Sequence, residues 1–505
     1  MTAPVTTTPG SSAASTSTSA AAVDASCRLP LFALLGGAAF WLVLSSVFGL
    51  IAGIKFHQVT FLADCAWLSY GRVYPAWSNL LMYGFCIPAG LGVGLWVLAR
   101  LGRQTINASW LVAFAAKLWH VGVLVGLLGI LSGDSTGFDW FEMPRYAAVI
   151  LFLAFLLIAV WGFINHAFRP RCGEEMESPH GEPEAASTST ATLYPSQWFV
   201  LSALFWFLWI YATAGLLLLF SPVRGVVQVS VGWWYVSNLL VVWTGLAGLG
   251  AAFYFLPALG RRPLQSHYTA MFAFLTLILF GTWAGVPANV PLPAWMPALS
   301  GVATLAILAP TLAVGVIGIQ TLRGADLKSA GAPLSFLKFG VLAFVLSGLM
   351  LAATGVTDFS RLTEFTWFGH AQNTLRLYGF FAMTMFGAVY YLLPRVAGIE
   401  FPFARLIRLH FWFGAVGVLC LAIPLAIGGV VQGLQLANPD IKMVDVVNST
   451  LMYFRVSTLG DTLIALGNLL FLLNLLTLIG RYYRSVVVAA YTAVTARLDP
   501  VEVKS

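Results

Sequence analysis

The sequence predicts an all-α polytopic membrane protein, a bundle of about twelve transmembrane helices, and three observations carry that prediction. Charged residues are only 9% of the chain and hydrophobic residues 59%. A soluble domain carries about 25% charged residues, and far fewer cannot cover a water-facing surface. Apolar runs of about 20 residues, enough to cross a hydrocarbon core of about 30 Å as helix, recur along the chain. Basic residues collect in alternate connections between those runs. Helix is the expected element because lipid offers backbone N–H and C=O groups no partner, and a helix satisfies them within the segment.

The elements follow in order. Residues 1–28 are rich in Ser, Thr and Ala and nearly uncharged, and read as a disordered tail. They lack the basic and apolar regions of a signal peptide, so the first apolar span is expected to be a retained helix. Spans are placed near 30–53, 77–99, 108–131, 145–164, 197–220, 234–256, 267–287, 297–318, 337–355, 374–393, 410–433 and 458–480, within a membrane domain of residues 29–484. Residues 169–193 are acidic, then Ser/Thr/Ala-rich, and read as a flexible cytoplasmic linker containing His180. Residues 485–505 are expected to form a cytoplasmic C-terminal tail.

With the N-terminus and the even-numbered connections on one side, that side holds 13 basic residues against 7 on the other, which puts both termini in the cytoplasm of a bacterial-type inner membrane. The net charge of +7 is therefore assigned to cytoplasmic loops, with the lipid bilayer and not nucleic acid as the contact surface. The five cysteines are scattered, with no C-x-x-C and no C-x-x-C-H for covalent haem attachment.

Local phrases then narrow the class. "CAWLSYGRVYPAWSNLLMYGF" (65–85), "YPSQWFVLSALFWF" (194–207), "GWWYVSNLLVVWTGLAGLGAAFYFLP" (232–257), "TWAGVP" (282–287), "TMFGAVYYLLPRV" (384–396), "LHFWFGAVGVL" (409–419), "GVVQGL" (429–434) and "LGDTLIALGNLLFLLNLL" (459–476) occur in this order. Each resembles a segment of helices two, five, six, seven, ten, eleven and twelve of subunit I of the cbb-type cytochrome c oxidases, in the haem-copper oxidase superfamily. The resemblance covers roughly residues 40–480 and implies a cytochrome c oxidase subunit I-like bundle.

It also implies where metal ligands should stand. The family places two axial imidazoles on a low-spin haem, one on a high-spin haem and three on copper; imidazole suits both metals. In helix two the family reads P-L-H-[ST]-N, and Trp77 stands at the histidine. Indole nitrogen is a donor only, so it offers iron no lone pair. In helix six the family reads W-W-Y-G-H-N, and Ser237 stands at the first copper ligand. In helix seven, Gly281 stands at the active-site tyrosine and Pro287 and Ala288 at two copper-ligand histidines. Helix ten reads G-H-x-H in the family. Aligned on Gly369-His370, the high-spin ligand survives as His370 and Gln372 replaces the other. Aligned backward from "FGAVYYLLP", Gln372 and Thr374 take the two places and His370 is displaced; this register also matches Gly379 and is preferred. At most one of six ligand histidines remains, so copper is not expected, no cofactor is the leading expectation, and a residual b-type haem ligand would have to be His370.

Other intramembrane polar residues are candidates in their own right. Lys117 and His120 are three apart and share a helix face, offering a proton route, a lipid-headgroup site or a new haem anchor, against a snorkelling lysine as the plain alternative. Arg376 can salt-bridge a partner subunit or Asp461, or hold a haem propionate, and a bis-histidine haem on His120 and His370 is the other unconventional arrangement. His410 falls at a family position that is not a metal ligand, and His57, His166 and His267 near helix ends read as structural.

The resulting reading is a non-catalytic homologue of oxidase subunit I, a scaffold or docking subunit of a respiratory or electron-transfer complex with membrane-anchored c-type cytochromes or other respiratory subunits as partners. The alternatives are a haem-containing terminal oxidase or nitric oxide reductase with displaced ligands, and a transporter or ion channel built around Lys117, His120 and Arg376.

Overall fold

The computed structural model describes residues 19–168, 193–288, 290–323 and 331–498. Among the described residues, twelve main helices follow one another: α1 Ala20–His57, α2 Tyr70–Leu101, α3 Ser109–Ser132, α4 Arg145–Ala167, α5 Pro195–Phe220, α6 Val226–Gly260, α7 His267–Gly281, α8 Trp295–Leu322, α9 Gly331–Ala353, α10 Trp367–Ala397, α11 Ala404–Leu436 and α12 Met443–Leu498, with a short helix, Thr357–Thr363, between α9 and α10. Eleven are long and apolar enough to span a bilayer, and α7, at 15 residues, is shorter. This is the all-α, multi-pass architecture the apolar runs predict. Most helices outrun the predicted spans because their polar ends continue beyond the apolar stretch. α7 stops early, where the chain turns at Thr282 and passes through Gly285 at φ +89°.

Three helices form the centre. The apolar windows of α2, α6 and α10 are 94%, 100% and 89% buried, against 39–56% in the other long helices. Small residues make this tight packing feasible, as is usual between helices in lipid. A Cβ on Gly248 of α6 would stand 2.5 Å from Phe380 of α10. Around this centre the outer helices expose large side chains such as Phe40, Phe114, Phe205, Trp209, Leu275 and Trp412, a surface that suits hydrocarbon and not water.

Each central helix contains a π-helical stretch: Leu80–Cys86 in α2, Asn238–Trp243 in α6 and Leu375–Ala382 in α10. They begin immediately after or within three residues of Trp77, Ser237 and Thr374. Such turns are rare in helices and concentrate at functional sites.

The start of α1 departs from the expected tail, because residues 20–28 are helical. Asp24 accepts a hydrogen bond from Trp96 Nε1 at 2.9 Å and lies 3.6 Å from Arg100. Ser26 Oγ accepts from the Ile106 amide at 2.9 Å, and Arg28 Nε donates to the Val396 carbonyl at 2.8 Å. These partners offset the ordering entropy that the composition alone could not. Likewise α12 continues to Leu498, inside the expected C-terminal tail. The expected linker at 169–193, with His180, lies outside the described residues apart from its last position.

Candidate functional site

Two faces of α10 look into two different cavities. On one side, Gln372 and Arg376 line a cavity of about 260 Å³ together with Ser237, Pro287 and Ala288. On the other, Thr374 lines a narrow cleft of about 30 Å³ together with Trp77, Trp140 and Asp461. The candidate positions singled out in the sequence therefore fall into two groups on either side of one helix.

Ser237 ends the α-helical part of α6, and its hydroxyl donates to the Ala284 carbonyl. Two more hydroxyls hold the same segment. The Gly285 amide donates to Thr304 Oγ1 at 3.1 Å and the Val286 amide to Ser300 Oγ at 2.8 Å. The loop carrying Pro287 and Ala288 is thus fixed to α6 and α8 by hydrogen bonds. Asn238, next to Ser237, braces it further: Nδ2 donates to the Trp234 carbonyl at 2.8 Å and to the Thr282 carbonyl at 3.3 Å, while Oδ1 accepts from Trp206 Nε1. Gly281 is buried against α6, where a Cβ would stand 2.9 Å from Val242, and does not line the larger cavity.

On the opposite side of α10, the Trp77 and His370 rings stack at 5.2 Å and 30°. Tyr74 lies 5.2 Å from Trp77, and Trp367 lies 5.7 Å from His370. His370 shares a cavity with Trp77 and Asp461, and is not among the residues lining the cavity of Ser237 and Gln372.

The connection between α3 and α4 closes over this side. Trp140, at φ +58°, lies 6.3 Å from Trp77, and its carbonyl accepts from Tyr83 at 2.6 Å. Glu142 is buried and accepts from Asn79 Nδ2 at 2.6 Å. Burial pushes its carboxyl up to about 7, and Asp139 in the same connection is raised for the same reason. Sequence reading missed Glu142, because a lone acid in a loop carries no signal of burial; its partner Asn79, two residues after Trp77, was the one available hint.

The polar group suggested by Lys117, His120 and Arg376 is not assembled. Lys117 points outward and is exposed. His120 turns inward, where Nδ1 accepts from Trp41 Nε1 at 3.2 Å and Nε2 faces the Ala33 carbonyl at 3.1 Å. Both ring nitrogens are thus engaged with α1, and His120 and His370 share no cavity. Arg376 is 1% exposed, out of reach of a partner's surface. No ion pair joins it to Asp461 among the described residues, because Asp461 lines the cavities on the other side of α10. His410, as expected of a structural residue, meets the Tyr390 hydroxyl at 2.9 Å.

The comparisons with known proteins agree with this architecture. The family model described as Cytochrome C and Quinol oxidase polypeptide I matches residues 30–463. The chain is 26% identical over 388 residues to the cbb3-type cytochrome c oxidase subunit CcoN1 of Stutzerimonas stutzeri, covering 74% of this chain and 77% of that protein. It is 24% identical over 469 residues to a cytochrome c oxidase subunit 1 homolog of Agrobacterium tumefaciens, covering 87% and 82%. A cryo-EM structure of a heme-copper terminal oxidase dimer superposes with a TM-score of 0.69 at 13% identity, over 90% of this chain and 84% of that one, which shows a shared fold. The chain is a multi-pass membrane protein that belongs to the cytochrome c and quinol oxidase polypeptide I family, within the haem-copper oxidases and close to the cbb3-type subunit I.

Proposed function

We propose that this chain is a non-catalytic member of its family, a scaffold or docking subunit of a membrane respiratory or electron-transfer complex. The observation that carries this reading is the stack of Trp77 on His370. At the position where the family presents an axial imidazole, an indole without a lone pair packs against the only histidine of α10. The preferred register of helix ten is supported by placement: Gln372 shares its cavity with Ser237, Pro287 and Ala288, and Thr374 shares its own with Trp77.

The residues present do not fit the family's metals. Copper asks for imidazole or comparable donors. The Ser237 hydroxyl spends its hydrogen on the Ala284 carbonyl, and neither the Pro287 ring nor the Ala288 methyl carries a donor atom. Thr374 spends its hydroxyl on the His370 carbonyl at 3.0 Å. Dioxygen reduction by the family's route therefore has no ligand set in this chain, and neither does a haem bridging His120 and His370.

What the sequence keeps is the frame: the braces at Asn79 and Asn238, the π turns and the central packing of α2, α6 and α10. A frame of this kind serves to hold partners in the membrane. The partners proposed are membrane-anchored c-type cytochromes or other respiratory subunits, and the charge distribution supports an inner membrane location with both termini cytoplasmic.

The test is a reduced-minus-oxidised absorption spectrum with metal analysis on the purified chain. The expected result is no stoichiometric b-type haem and no copper in this polypeptide, with a c-type cytochrome co-purifying from native membranes. A stoichiometric b-type haem signal overturns the reading and restores the displaced-ligand oxidase.

A further inference from the structure

Among the described residues, nothing forms an ion pair with the buried cation of α10. Arg376 is 1% exposed, and its Nε and Nη2 are buried without a hydrogen-bond partner. The nearest aromatic contact is weak, with the guanidinium 6.0 Å from the centre of the Phe344 ring. A guanidinium stays charged and brings five donors. Burying such an ion without a partner costs several kcal/mol, which neighbouring groups must offset.

The same side chain lines the cavity of about 260 Å³ between α6, α8, α9 and α10. Gln372 and Arg376 are one helical turn apart and face it together. The Thr304 hydroxyl, which accepts from the Gly285 amide and keeps its own hydrogen, and the side-chain amide of Asn373 add neutral hydrogen-bonding groups to its wall. Its rim is open, since Thr357 and Phe365, which also line it, are exposed. Glu364 lines the cavity as well, but precedes the first residue of α10, Trp367, and about 13 Å of helix separate Trp367 from Arg376. The lining thus combines one deeply buried cation with neutral hydrogen-bonding groups.

We propose that this cavity binds a small monovalent anion, an oxyanion or short carboxylate of the size of nitrate or formate, with Arg376 as its charge partner. The guanidinium fork matches two oxygens of a planar anion. A single arginine balances one negative charge, and the Thr304 hydroxyl and the side-chain amides complete the shell that the arginine leaves open. The proposal rests on the reading that no haem–copper pair occupies this side of α10.

The experiment is thermal unfolding of the purified full chain in detergent, in gluconate buffer with formate or nitrate substituted at constant ionic strength. Both anions are expected to raise Tm saturably, by about 2 °C or more at saturation. Arg376→Met is expected to unfold at a higher temperature than the wild type in gluconate and to lose the anion-dependent shift. Arg376→Lys keeps a response with at least about tenfold weaker apparent affinity, since a point charge replaces the fork. Thr354→Trp, which puts a large ring into the cavity and leaves Arg376 in place, also abolishes the shift and serves if the arginine variants fail to fold. A wild-type Tm indifferent to formate and nitrate, or an Arg376→Met or Thr354→Trp chain that responds like the wild type, overturns the proposal. Haem and copper content measured on the same preparation tests the underlying reading separately.

Discussion

Trp77 and His370 stack at 5.2 Å across the boundary between α2 and α10, flanked by Tyr74 and Trp367. Four rings from two central helices form one contact, at a place where the family resemblance calls for a metal-bound imidazole. On the proposed reading, this contact makes packing the role of that position.

Truncating it should therefore read as loss of a core aromatic. Trp77→Ala is expected to destabilise the chain by about 2 kcal/mol, below the range for a fully buried Trp or Phe cut to Ala, because Trp77 is only partly buried. Thermal unfolding in detergent measures it. Trp77→His, in contrast, should give no low-spin haem spectrum when haem is supplied, because Thr374 offers no second imidazole and His370 packs directly against position 77, leaving no gap for a haem between the two rings.

The hydroxyl of Ser237 holds the 284–288 segment from the α6 side. Ser237→Ala leaves the Ala284 carbonyl without that donor, at a cost of about 1–3 kcal/mol. The readout is amide exchange, which should speed up at Gly285 and Val286 and stay unchanged in α11 and α12. Equal rates in both chains would contradict the tether.

Glu142 gives the protein a pH dependence with a defined sign. Its carboxyl rises from an ordinary 4.5 to about 7 through burial, so the folded chain binds more protons than the unfolded one between those values. Stability accordingly falls as pH increases through that window, by about 3 kcal/mol in all, and stays low above it. Glu142→Gln keeps a group able to accept from Asn79 and removes the titration. Its Tm should exceed the wild type's at pH 8, and the gap should close toward pH 5.

The first turns of α1 are anchored by Asp24, Ser26 and Arg28. Asp24→Ala leaves the Trp96 indole N–H unpaired and removes the partner of Arg100. Limited proteolysis should then cut within residues 20–28, which resist cleavage in the wild type. Cleavage there at equal rates in both chains would mean that this segment is held by something else.

The amino-acid sequence alone determined the membrane class, the order of twelve apolar segments and the family resemblance, because composition, run length and ordered motifs are local properties of the chain. It also determined which residue types stand at the expected ligand positions: Trp77, Ser237, Pro287, Ala288, Gln372 and Thr374. Tertiary structure decided the rest. It set Gln372 beside Ser237 and Thr374 beside Trp77, since which face of α10 meets which neighbour depends on helices distant in sequence. It separated Lys117, His120 and Arg376, which share a polar character but not a location. It buried Glu142 and extended α1 back to Ala20 through contacts with α2 and α10. A residue's chemistry is written in its side chain, but its burial and partners are fixed only when the segments pack.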